Sequence, residues 1–85
     1  MAHNQQGLGL LPLDRCPADS EWISKNLGYL NEDDRKAVCK AYSKAYREAV
    51  ENEPLERKKI NKGRFVANTR LRIFIKKRFA LFNKD

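Results

Sequence analysis

The last third of the chain most constrains the fold, because a single helix would sort its residues onto an apolar and a basic face. On a helical wheel, one arc collects the apolar residues Ile60, Ala67, Leu71, Phe74, Ile75, Phe79, Leu81 and Phe82. The opposite arc collects Lys58, Lys59, Lys62, Arg70, Lys76 and Lys77. The pattern predicts a basic amphipathic helix over residues 55–82, kinked or interrupted at Gly63.

A β-strand is the competing interpretation of part of this segment. Leu71, Ile73 and Ile75 follow the alternating pattern of a half-buried strand. The residues between and beside them are Arg70, Arg72, Phe74 and Lys76. No earlier segment has the pattern of a strand that could pair with it, and a lone strand leaves its backbone groups without partners. The helix is therefore the favoured interpretation.

Two further helices are predicted before it. Asp19 or Ser20 can cap the first, and Gly28 is expected to end it in the left-handed conformation. Its apolar face consists of Trp22, Ile23 and Leu27. The second should span residues 32–52, with Asn31 as N-cap and Pro54 marking the break. Acidic residues in its first turn complement the helix dipole, and Glu32 and Lys36 form a favourable i,i+4 pair.

The beginning of the chain lacks sustained periodicity. Gly7, Gly9, Pro12 and Pro17 oppose a helix there. This segment is either a loose tail or an extended arm that packs its leucines on the domain or on a second subunit. Those leucines are Leu8, Leu10, Leu11 and Leu13. The predicted organisation is an irregular arm over residues 1–18 and an all-α, three-helix domain over residues 19–85.

The charge is distributed unevenly along the chain. Residues 57–85 hold eleven Lys or Arg and one acid, whereas residues 1–56 hold seven basic and ten acidic residues. A clustered basic surface attracts phosphates and carboxylates. The leading prediction is a DNA or RNA partner, contacted by Lys58, Lys59, Lys62, Arg70, Lys76 and Lys77. Arg64, Arg72 and Arg78 are further candidate contacts, and Asn68 and Thr69 are within reach of base edges. A helix-turn-helix is rejected because the second helix begins with acids that would repel phosphates.

The alternative prediction is a protein-interaction module that docks its basic helix on an acidic partner. Val66 and Ile73 lie within the basic arc and are the expected partner or homodimer contacts. Arg64 and Arg78 fall on the apolar arc, where we expect a helix bend or arginine stems that extend to solvent. Binding to a membrane surface is the least favoured option, because the apolar face is needed to cover the other helices.

Nothing in the sequence supports catalysis, a metal or a cofactor. His3 is the only histidine, no Cys/His cluster has metal-ligand spacing, and no glycine-rich phosphate loop occurs. Cys16 and Cys39 are expected to be reduced thiols, since no secretory signal is recognisable. No apolar stretch approaches the length of a membrane span. The expectation is a non-enzymatic protein of the cytoplasm.

Scattered residues resemble small orphan proteins of bacteriophages and prophages. They are the segment Leu27-Gly28-Tyr29-Leu30, then Arg35, Tyr42 and Tyr46, and finally Ala67-Asn68-Thr69-Arg70-Leu71-Arg72. The resemblance implies a bacterial cytoplasm, or the host cytoplasm for a phage-encoded protein. It also implies an accessory role in phage replication or regulation.

Overall fold

A computed structural model describes residues 10–82, with side chains up to residue 79. Its three α-helices are α1 (Ser20–Leu27), α2 (Glu32–Asn52) and α3 (Lys59–Phe82), and the described residues contain no strand. Short 3-10 turns, Pro17–Asp19 and Glu56–Lys58, precede α1 and α3. The predicted all-α, three-helix fold is confirmed. His3 and Leu8 lie outside the described residues, and so do the side chains of Leu81 and Phe82.

The ends of α2 follow local sequence signals. The Asn31 Oδ1 atom accepts a hydrogen bond from the Asp34 backbone N–H at 2.8 Å, so the predicted N-cap is confirmed. The predicted ion pair between Glu32 and Lys36 is present, with 3.9 Å between the charged atoms. At the other end Glu53 adopts an extended conformation before Pro54, as the clash with the proline ring requires.

Helix α1 begins and ends where the sequence predicts, but neither end is stabilised in the expected way. The Asp19 side chain makes no capping hydrogen bond, because its carboxylate is engaged by α3 instead. Gly28 ends the helix as its C-cap, as predicted, but with φ −62° and ψ −18° it does not adopt the expected left-handed conformation. The chain leaves the helix through backbone hydrogen bonds from Tyr29 to Asn26 and from Leu30 to Leu27, which need no positive φ.

The long helices α2 and α3 pack antiparallel, with Gly63 in close contact with α2. A Cβ atom on Gly63 would lie 2.8 Å from Val50 Cγ2 and 3.0 Å from the Tyr46 ring. The helix runs unbroken through this glycine, so the predicted interruption is wrong. The glycine permits contact between helices, at a position where any side chain would collide.

The core is formed by all three helices. Its buried members are Ile23, Leu27, Cys39, Tyr42, Ala45, Tyr46, Ala67, Leu71 and Ile75. On α3 the buried positions are spaced four residues apart, and such a row is inclined to the helix axis. The row misses Ile60, which is 50% exposed, so its predicted place on the buried face is wrong.

Residues 10–18 pack along α2. Pro12 is fully buried, while Leu11 and Cys16 contact the core. The Asp14 backbone N–H donates to Ser43 Oγ at 3.2 Å, and the Asp14 carboxylate accepts from Arg47 at 2.7 Å. This part of the chain is therefore an arm on its own domain, although Leu13 is 92% exposed.

Candidate nucleic-acid interface

The inner side of α3 carries a polar network that joins all three helices. Arg64 donates from Nε and Nη2 to the two carboxylate oxygens of Asp19, at 2.9 and 2.8 Å. The Asn68 side-chain amide donates to Asp19 Oδ2 at 3.0 Å and accepts from the Tyr42 hydroxyl. The Arg64 guanidinium holds the pKa of Asp19 below its usual value, against the opposing effect of burial.

The second arginine of the apolar arc is also paired. Arg78 forms an ion pair with Asp34 near the start of α2, and its guanidinium lies 5.4 Å from the centre of the Phe74 ring. Arg64 and Arg78 are both partly exposed, as expected for arginine stems that extend towards solvent, but each is also held by a carboxylate. Carboxylates on neighbouring elements balance both charges, which orients α3 on the domain.

The outward side of α3 combines positive charge with exposed apolar groups. We call the residues Lys62, Phe65, Thr69, Arg72, Ile73 and Lys76 the outer face of α3. Phe65 is 68% exposed and Ile73 is 48% exposed. Residues 59–82 contain eight basic residues and no acid. The outer face is thus a cationic surface that includes an exposed aromatic ring.

The predicted phosphate contacts are exposed with one exception. Lys58, Lys62, Arg70, Lys76 and Lys77 are exposed. The Lys59 ammonium instead donates to the backbone carbonyls of Val50 and Glu53, at 3.1 and 2.6 Å. These carbonyls belong to the end of α2, where partners within the helix are missing. Lys59 therefore stabilises a helix terminus.

The six residues do not form one site. Lys62, at the edge of the outer face, and Arg70 both line a groove towards α2 together with Glu48 and Glu53, whereas Lys76 does not. The two predicted partner contacts, Val66 and Ile73, also lie in different surroundings. Val66 is partly buried against the core, while Ile73 is largely exposed. A contact that needs both of these residues stays a prediction.

Phe65 and Trp22 were missed as site residues, whereas Arg72 was among the further candidate contacts. Phe65 lines a shallow groove together with Asn61, Arg64, Asn68, Thr69 and Arg72. The Arg72 guanidinium lies 5.5 Å from the centre of the Trp22 ring, within the range of a cation–π contact. The sequence did contain one indication that Phe65 is exposed, because this residue falls outside the apolar arc of the helical wheel. Asn68, expected to read base edges, has both side-chain polar atoms engaged in the inner network.

A second basic surface lies on α2. Lys36, Lys40, Lys44 and Arg47 line a groove between α2 and the arm. They were overlooked because the first two thirds of the chain are acidic overall. Arg47 is neutralised by Asp14 and Lys36 by Glu32. Lys40 and Lys44 are exposed and offer a matched comparison for the lysines of α3.

Other kinds of site find no support in the described part of the chain. Within it, no three His, Cys, Asp or Glu residues are placed to hold a metal ion. None of its helices combines the length and the apolar character needed to cross a membrane. No family model matches the chain, and no curated protein or solved structure matches it. The resemblance to phage proteins stays a prediction.

Proposed function

We propose that this protein binds nucleic acid through the outer face of α3 and catalyses no reaction. The observation that carries the proposal is an exposed aromatic ring among Lys62, Arg72 and Lys76, on a helix without a single acid. Such a surface suits a polyanion with aromatic bases better than it suits a lone anion. An accessory role in phage replication or regulation is the setting that the resemblance suggests.

The positions of the cations set the expected strength of the salt effect. Lys62 and Lys76 are fourteen residues apart on one helix, which corresponds to ~21 Å. Three phosphate contacts from Lys62, Arg72 and Lys76 would give a slope of about −2 to −3 in log K against log salt. Binding should therefore be easy to detect at low salt and weak at physiological salt.

Fluorescence anisotropy with a labelled mixed-sequence DNA duplex and a labelled RNA, across a salt series, tests the proposal. The double variant Lys62→Glu, Lys76→Glu should bind more weakly and flatten the salt slope by about 2. Lys40→Glu with Lys44→Glu makes the same change of charge on α2 and serves as the control. Equal losses in both variants would assign binding to net charge and not to α3. Absence of binding by the wild type at low salt would refute the proposal.

A second candidate function is docking of the same helix on an acidic protein or on another copy of the chain. The exposed apolar side chains of Phe65 and Ile73 favour it, because apolar anchors within a charged rim are typical of protein interfaces. Sedimentation velocity over a range of concentrations tests the homodimer. Ile73→Asp should then shift the protein to monomer, whereas a monomeric wild type would remove the dimer.

A further inference from the structure

We propose that the outer face of α3 takes single-stranded nucleic acid, with one base stacked on Phe65. The inference deepens the proposed function and rests on it. A duplex turns the flat faces of its bases inward, whereas a single strand leaves them free to stack on an aromatic side chain. An exposed phenylalanine ring within a cationic face therefore favours a single strand.

The residues around Phe65 form a preorganised groove that suits a stacked nucleobase. Asn61 and Thr69 lie one helical turn on either side of the ring, where their polar groups can meet the edge of a stacked base. Arg64 and Asn68 complete the groove and are fixed by their hydrogen bonds to Asp19. Because these hydrogen bonds already order the groove, little conformational entropy is lost on binding.

Arg72 supplies a positioned charge beside the ring. Its guanidinium lies over Trp22 of α1, at 5.5 Å from the ring centre. This contact restrains a long side chain that would otherwise have to be ordered when a phosphate binds. Lys62 and Lys76 extend the charge in both directions along the helix. A strand that follows α3 would thus place phosphates on both sides of the stacked base.

The exposed apolar side chains of the outer face argue against recognition of a duplex by this surface. Phe65 and Ile73 are eight residues apart on the outer face, a separation of ~12 Å along the helix. In the major groove these positions would meet base edges, which offer, besides the thymine methyl group, hydrogen-bond donors and acceptors. Neither side chain can pair with them, whereas both can contact the flat faces of unstacked bases.

Anisotropy titrations of the full chain test the inference with a labelled fifteen-nucleotide DNA strand, the corresponding RNA strand and the DNA duplex. The single strands should bind at least about tenfold more tightly than the duplex at the same salt. Phe65→Ala should weaken single-strand binding about 5- to 150-fold without changing the salt slope. Phe65→Trp should retain binding. Leu55→Ala removes another exposed apolar side chain, away from the outer face, and should have no effect.

The outcomes separate this inference from the proposed function. Duplex binding as tight as single-strand binding, with no effect of Phe65→Ala, would overturn the inference and leave nucleic-acid binding standing. No binding to any of the three probes would refute both. Because Phe65 is exposed, its removal should not unfold the protein, and circular dichroism checks this. A change of oligomeric state in Phe65→Ala, seen by light scattering, would show that the ring covers a subunit contact and would also overturn the inference.

Discussion

Replacing Arg64 with methionine tests whether the Asp19 network holds the three helices together. Methionine keeps most of the apolar stem and removes the two hydrogen bonds to the carboxylate. Hydrogen bonds to charged groups contribute about 1.5 to 3 kcal/mol each. The Arg64 side chain is 40% exposed, so solvent screening reduces this sum. We expect the free energy of unfolding to fall by about 2 kcal/mol at pH 7.

The effect should depend on pH in a defined direction. Asp19 has a lowered pKa in the folded protein, so its paired form stabilises the fold above the pKa of the unfolded chain, about 4. This stabilisation is lost as the pH falls through the lowered, folded-state pKa. The difference between wild type and Arg64→Met should therefore be complete above about pH 5 and shrink in more acidic solution.

Thermal unfolding followed by circular dichroism between pH 3 and 7 measures this difference. A loss of about 2 kcal/mol corresponds to a Tm lower by about 8 to 16 °C at pH 7 for a domain of this size. Arg70→Met is the control, an exposed arginine on the same helix, and should change stability by less than about 0.5 kcal/mol. An unchanged Tm in Arg64→Met, or a decrease that is the same at every pH, would refute the reasoning.

Three further predictions concern packing, capping and thiol chemistry. Gly63→Ala should lower stability by about 1 kcal/mol, because the overpacking cost against Val50 exceeds the gain in helix propensity; a raised Tm would show that the helices do not approach so closely. Asn31→Ala should cost about 1 kcal/mol in urea unfolding through loss of the cap, and an unchanged midpoint would contradict this. Burial raises the pKa of the Cys39 thiol, so a disulfide reagent should modify Cys16 first; equal rates by mass spectrometry would show that Cys39 is accessible.

Features fixed by neighbouring residues could be predicted from the sequence. Asn31 and Pro54 act on the backbone beside them, so both ends of α2 were predicted correctly. Asp19 and Arg64 are 45 residues apart, and their pairing depends on how α1 docks beside α3. The helical wheel placed Arg64 on the buried side of α3 but could not show that the Asp19 carboxylate lies next to it.

The candidate site likewise contains residues that the sequence could predict and residues that it could not. The sequence alone identified α3 as the basic helix and Lys62 and Lys76 as exposed cations. It treated Lys59 as one of the same group, although the turn between α2 and α3 brings its ammonium to the end of α2. The extent to which the Phe65 ring is exposed could not be predicted, because it depends on how α3 packs against α1 and α2. Which apolar residues remain exposed is a property of the assembled domain.

The glycine at the contact between α2 and α3 also decides the alignment of the two helices. The buried row of α3 repeats every four residues, through Gly63, Ala67, Leu71 and Ile75. Sliding α3 by one turn would keep apolar residues against α2, so hydrophobicity alone permits several registers. Such a slide brings either Ala67 or Lys59 to the place of Gly63, where even a methyl group would lie 2.8 Å from Val50. One missing side chain therefore selects a single register and, with it, the position of every residue on the outer face.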